Sequence, residues 1–446
     1  MDSKKWISML MLVCSLKNVS AQETSEGNSV KNFPAQVSIF HHPLSDNKEP
    51  KVAIGTHGRK SVNYSYNLSL NLLTGKTGGL NGLGISGLFG HVKGSAHGIQ
   101  IAGLANLSEK EMIGLQISGL ANVAGEKMNG LQFGSLVNVA GDGMSGLQIG
   151  GLVNVAGEEV KGLQIGGFVN VAGEEMTGLQ TAGFVNVATE GMHGLQMGGV
   201  ANVAVEGMNG LQIGGVANAA VEKMNGIQIV GGINVAKDAR GMQIAGISNR
   251  GINKKEPIKT MKGLQIAGIF NSADHASGLQ IAGIYNRAGT LRGINIGMVS
   301  ITDTIEKGVS LSLVNIVRKG FYTELDLSFS DYATVAFSYK MGMQRFYTIY
   351  TVGAAFIEDK LWVAGMGFGN RTPIGKRLDF QPELVVYNYF PIDFKNIKNT
   401  SDTRLKLGFV YRINEKLGLS LAPSIYLMNA KIGAGISLGL SFAGSR

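Results

Sequence analysis

The chain has 446 residues, of which 65 are Gly and only 8 Pro, and it carries a formal net charge of +9. Glycine at about twice its usual share argues against a helical architecture, and beyond residue 21 no apolar run reaches the roughly 18 residues of a membrane helix, so any bilayer crossing must use strands. Residues 82–225 hold 5 Lys, no Arg and 11 acids, whereas residues 308–446 hold 16 basic and 10 acidic residues; this separates two modules, and the dispersal of the basic residues argues against nucleic acid as a partner.

Residues 1–21 read as a signal peptide: Lys4 and Lys5, an apolar run from Trp6 to Val13, and Val19-Ser20-Ala21 as a small-residue cleavage site. Cys14, the single cysteine, offers a lipid-modified alternative, although Val13 is a poor residue before such a cysteine. Residues 22–81 form a polar leader followed by N-terminal strands at 35–40 and 61–72, the second alternating Tyr64, Tyr66, Leu68, Leu70 and Leu72 with Ser65, Asn67, Ser69 and Asn71. Between them, His41-His42 lacks a third ligand at metal spacing and reads as a solvated loop.

Residues 82–308 repeat one phrase, exemplified by the run from Gly162 to Thr177. Its opening glycines stand 16 apart from Gly82 to Gly226, then continue at Gly241, Gly263, Gly278, Gly293 and Gly308. Interior glycines, at about 1 kcal/mol each relative to Ala, exclude a helical repeat. A β-solenoid is the expected solution, with strands at 163–165 and 168–171, a bend at Gly166-Gly167 and a turn at 173–175. Stacking then aligns an Asn column (Asn106, Asn122, Asn138 and onward), a Gln column (Gln100, Gln116, Gln132 and onward) and a Met column that fills the core. The competing solution makes each unit one strand of a large membrane barrel, with Leu163 and Ile165 outward.

One interval of 22 residues buds a basic loop holding Arg250, Lys254, Lys255, Lys259 and Lys262. Its plain reading is a tolerated insertion; its sharper reading is a contact site for an anionic surface glycan or lipid headgroup. His91, His97, His193 and His275 show no grouping and read as exposed turn residues. No catalytic, cofactor-binding or metal-binding residue is expected.

After Gly308, alternation of period two takes over in eight segments, at 321–330, 333–340, 345–356, 361–369, 378–390, 403–413, 417–428 and 432–442. One apolar and one polar or small face per strand predicts an antiparallel outer-membrane-type barrel in residues 309–446, with a secreted sandwich as the alternative. Tyr347, Tyr350, Trp362, Tyr387, Tyr389, Phe390, Tyr411 and Tyr426 are the expected interfacial aromatics. Counting the strands at 35–40 and 61–72 gives ten, so the repeats are expected as an insertion between the second and third strands of one barrel.

The unit Gly-Leu-Gln-Ile-Gly-Gly-Leu-Val-Asn-Val-Ala, across about residues 60–315, resembles a bacterial surface-repeat family known from spirochaetes and from Bacteroides-like bacteria. That resemblance implies an envelope location and no catalytic residue. The sequence therefore predicts an outer-membrane or surface-displayed repeat protein, a structural or binding scaffold whose partners are outer-membrane lipid and a surface glycan or another envelope protein. The alternative is an outer-membrane channel or transport component with the repeats as plug or extension.

Overall fold

A computed structural model describes residues 31–40, 52–54, 58–251, 258–356, 360–392 and 400–444. The segment 1–21 expected as a signal peptide, with Cys14, and the His41-His42 pair lie outside them. The fold is a parallel β-solenoid of about fifteen turns followed by a closed antiparallel barrel of eight strands. It divides into two compact units, Met1–Gly241 and Met242–Arg446.

In the first unit each coil has a long and a short strand, as in Val160–Gly166 and Val169–Ala172. Identical residues pair from coil to coil: Leu163 with Leu179 and Gln164 with Gln180 on one sheet, Asn170 with Asn186 on the other. The long strand starts earlier than its apolar core suggests and runs straight through the phrase-opening glycine. Gly162 takes φ 136°, and a Cβ there would lie 2.0 Å from the carbonyl oxygen of Gly146, one coil away. The glycine is thus a kink inside the strand, where coils approach too closely for any side chain.

Inside the stack run two amide ladders of opposite sense. Asn154 donates from Nδ2 to Oδ1 of Asn170 at 2.9 Å, and Asn170 donates in turn to Asn186 at 2.9 Å, toward the C-terminus. Gln180 donates from Nε2 to Oε1 of Gln164 at 2.7 Å, toward the N-terminus. The Met column and the Ala at the end of each short strand, such as Met176 and Ala172, close the core and are fully buried. The solenoid, not the large barrel, is what the phrase encodes, because stacking lets each buried amide of the inner coils meet its equivalent one coil away.

The N-terminal strands do not join the barrel, which corrects the expected insertion. Lys31–Phe40 lies parallel against Tyr64–Asn71, which pairs in parallel with Gly79–Ser86, and the short antiparallel Val52–Ile54 pairs with the first of these. In the segment 64–71 Tyr66 is buried from one face, and Ser69 and Asn71 from the other, where Asn71 donates to Ser86 Oγ at 3.0 Å. These residues continue the polar interior of the coils, so the segment belongs to the stack.

In the second unit the coils are 15 residues long where the turn is shortened, and strands run on through it, as in Phe270–Ala282 and Tyr285–Ile305. The stack extends past Gly308 to Val309–Val317, which pairs in parallel with 294–302. The barrel then uses Tyr322–Ser330, Val335–Met343, Phe346–Ala355, Leu361–Gly369, Leu378–Pro391, Thr400–Arg412, Leu417–Met428 and Lys431–Ala443, each antiparallel to its neighbours. Pairing of Leu327 with Leu440 closes the ring without the N-terminal strands.

Candidate functional surfaces

The basic loop is only partly described. Arg250 ends the strand Ser248–Arg250, half-buried, and Lys262 is exposed in Ile258–Ala267, beside Ser277 of the next coil. Lys254 and Lys255 lie outside the described residues, and Lys259 lies in the backbone of the strand from Ile258. The described residues bring no two of these cations together.

The barrel lumen is where charge converges. Lys340, 1% exposed, reaches Glu324 at 3.0 Å, Asp326 at 2.5 Å and Glu383 at 2.7 Å. Arg371 bridges Glu324 and Asp379, and Arg412 meets Asp379 at 3.0 Å. Toward the other end Arg404 binds Asp402 at 2.9 Å and Asp331 at 2.7 Å, between the rings of Tyr332 and Tyr426. Tyr322, Tyr347, Tyr387, Ile349 and Val385 pack among these groups, so side chains fill the interior, as an eight-stranded circumference permits. Alternation with Leu325, Leu327, Leu405 and Leu407 sets Glu324, Asp326, Arg404 and Lys406 on the polar face of their strands. Their pairings span up to 73 residues in sequence, as for Arg404 with Asp331, and carry no local signal.

The outer wall is apolar: Leu325, Phe329, Phe337, Val352, Trp362, Leu405, Phe409, Tyr411, Ile425 and Leu438 are all exposed. Of the expected interfacial aromatics, Trp362 and Tyr411 face outward, whereas Tyr347 and Tyr387 are fully buried and Tyr389 donates to Asp402 in the lumen at 3.0 Å. Tyr426 also turns inward, onto Arg404. Tyr347, which donates to Glu383 at 3.0 Å, Tyr389 and Tyr426 serve buried charges and Tyr387 stacks on Tyr332 at 4.4 Å, which overrides the placement expected at a lipid boundary. Phe329, Phe337, Tyr339, Phe368 and Phe442 supply outward rings instead.

One patch of that wall is covered. Thr348 alternates outward between the lumen residues Tyr347 and Ile349, yet it is 0% exposed. Asn315, in the last solenoid strand, donates to Thr348 Oγ1 at 3.0 Å; Thr348 donates to the carbonyl of Ser312 at 3.1 Å, and the Tyr350 hydroxyl donates to the carbonyl of Leu313. The barrel wall thereby caps the open edge of the final coil, a strand edge that would otherwise invite foreign pairing.

The outside of the stack is divided by chemistry. Every charged residue from 98 to 240 falls in the turn that follows the core Ala or in the first residues of the next long strand, as do Glu174, Glu175 and Lys161. Consecutive turn acids stack: Glu190 N donates to the Glu174 carbonyl at 3.3 Å, and Glu206 N to that of Glu190 at 2.9 Å. Partial desolvation and then the neighbouring Glu174 and Glu206 raise the Glu190 carboxyl above its ordinary pKa. His97, His193 and His275 are exposed, but His91 is buried with Nε2 2.7 Å from Glu109, because its coil turns the ring under the acidic edge. Among the described residues no three His, Cys, Asp or Glu side chains gather as a metal site. The opposite edge of each coil, and both flat faces, present Leu, Ile, Val and Phe.

No family model and no curated protein matches the sequence. Among solved structures, the N-terminal β-barrel domain of Pseudomonas aeruginosa OprF is 12% identical with a TM-score of 0.22, over 28% of this chain and 96% of that one. The outer membrane protein Ail of Yersinia pestis is 9% identical with a TM-score of 0.20, over 28% and 99%. A de novo designed transmembrane β-barrel is 11% identical with a TM-score of 0.21, over 28% and 94%. Likeness at that level identifies neither a family nor an activity.

Proposed function

We propose that this is an outer-membrane protein in which the barrel of residues 322–443 is the anchor and the repeat stack is a surface-displayed structural or binding scaffold without catalysis. The observation that carries the reading is the inversion of the barrel: Lys340, Arg371, Arg404, Glu324, Asp379 and Asp402 point in, while Leu, Phe, Val and Trp point out. Such a wall is costly in water and suited to hydrocarbon, where a closed ring also leaves no unpaired backbone edge. The filled lumen favours an anchor over a solute channel. The wording and period of the repeat, with their resemblance to the surface-repeat family, support an envelope scaffold.

Envelope fractionation of the native host, followed by protease shaving of intact cells, tests this. Recovery with the outer membrane, with a protected fragment spanning the barrel and loss of the repeats to protease, is the expected result. Recovery in soluble periplasm or culture fluid contradicts it.

A further inference from the structure

The stack has an unusual distribution of polarity. Its interior is Gln, Asn, Ala and Met, while its exterior carries the bulkier apolar side chains. Between the two strands of each coil, one residue projects at the bend: Leu120, Leu136, Leu152, Phe168, Phe184 and Val216 in the first unit, all exposed, with Phe168 at 47%. Phe168 and Phe184 stack at 4.8 Å between ring centroids. In the second unit Ile247, Ile269 and Ile284 hold the same position and are equally exposed. Flanking this ridge on the long-strand face are columns such as Leu131, Leu163 and Ile165, Ile213, Ile227 and Ile229. From residue 98 to 240 the charged residues keep to the opposite edge. Scattered surface apolar residues need no explanation, but a ridge that recurs in most coils, interrupted at Gly232 and half-buried at Val200, does.

We propose that the bend ridge of the solenoid is a lipid-binding edge that inserts into one leaflet of a bilayer, with the charged turn edge left in water. This rests on the membrane reading above. Four observations converge on lipid as the occupant. The segregation of charge to one edge and apolar bulk to the other is what holds an amphipathic element at a membrane interface. The short strand has four residues, as in Val169–Ala172, so at about 3.3 Å per residue the coil penetrates on the order of 10 Å, far less than the roughly 30 Å of a hydrocarbon core. At the ridge the backbone pairs from coil to coil, Phe168 N donating to the Leu152 carbonyl at 3.0 Å and Phe184 N to that of Phe168 at 3.1 Å, and the inner amides pair with each other, which removes most of the polar cost of contact with lipid. Finally, in the second unit the last coil is fastened through Asn315 and Leu313 to the outward-facing Thr348 and Tyr350, on the wall assigned to lipid. That last coil therefore lies at the wall assigned to lipid.

The test uses the full chain with Cys14→Ser, reconstituted in phosphatidylethanolamine and phosphatidylglycerol vesicles. Nitroxide labels are placed one at a time through Leu152→Cys and Val216→Cys on the ridge, Glu174→Cys on the charged edge and Val352→Cys on the barrel wall. Collision with oxygen is compared with collision with a water-soluble nickel chelate. The expected result is that 152 and 216 share the oxygen-rich, nickel-poor ratio of 352, while 174 shows the reverse. A lipid ratio at 352 with an aqueous ratio at 152 and 216 overturns the proposal and leaves the barrel anchor standing. Ridge labels shielded from both reagents mean that protein, such as a second copy of the chain, covers the ridge, and this too overturns it. An aqueous ratio at all four sites removes the membrane reading itself. Two ridge positions guard against one substitution that fails to fold.

Discussion

At the scale of single residues, the stack depends most on positions where nothing can be added. Gly162→Ala forces an L-residue into φ 136° and drives a methyl into the Gly146 carbonyl. The backbone term alone costs about 1–2 kcal/mol, and the clash adds to it, so the thermal midpoint by circular dichroism should fall clearly. Gly191→Ala is the control: its added Cβ would meet nothing closer than 3.6 Å, and the midpoint should hold. The period of these glycines was plain in the sequence, but their role was not. The atom that excludes a side chain at Gly162 belongs to another coil, so the phrase read by itself starts the strand at Leu163, whereas it starts at Val160 and kinks through the glycine.

Glu190 gives a pH-dependent counterpart. Desolvation and the stacked Glu174 and Glu206 disfavour its charged form in the fold, so its folded pKa lies above the unfolded one. The resulting destabilisation is present above the folded pKa and disappears as pH falls below the unfolded pKa. Glu190→Gln should therefore raise the midpoint at neutral pH, with the gain shrinking to nothing as the carboxylates protonate. An equal gain at every pH would show that charge is not the cause.

At the scale of elements, each coil is stable only through its neighbours. Asn170 donates to the carbonyls of Gln164 at 3.1 Å and Thr181 at 2.7 Å and accepts from Asn154. Asn170→Ala strands these buried partners, and a loss of about 1–3 kcal/mol is expected from the desolvation of unpaired groups. Deleting the whole phrase 162–177 should cost less in denaturant titration, because Asn154 can then meet Asn186 in the same register. The ladders were legible because identical residues 16 apart must stack once the unit is β. The fate of the N-terminal strands was not: period-two alternation states which residues share a face, not whether that face is wet, lipid-covered or buried. In 64–71 the inner side passes from Tyr66 to Ser69 and Asn71 across a register shift between Tyr66 and Leu68, and only the pairing partners reveal it. The same ambiguity put Tyr347 and Tyr387 on the wrong side of the barrel, since each sits beside residues of either character.

At the scale of the whole molecule, the eight C-terminal strands were readable nearly to their ends, because local alternation and turns define them. Their closure into an eight-stranded ring, rather than ten, was not readable, since the Leu327 and Leu440 pairing joins segments more than a hundred residues apart. The lumen network follows from that closure. Lys340→Met leaves Glu324, Asp326 and Glu383 buried around an apolar side chain, and breaking such a site costs about 3–5 kcal/mol. Urea titration of the vesicle-reconstituted protein should show it, whereas substitution of the exposed Lys262 should leave the midpoint unchanged.

The measurement that bears most directly on the account is the gel mobility of the full chain, extracted from membranes in mild detergent, before and after boiling. A closed barrel with an inward ionic network resists unfolding by detergent, so the unboiled protein should run as a distinct faster band that converts to the slower one on heating, and Lys340→Met should lower the temperature of that conversion. A single band at one position under both conditions, from protein that remains soluble without detergent, would contradict a membrane-anchored barrel.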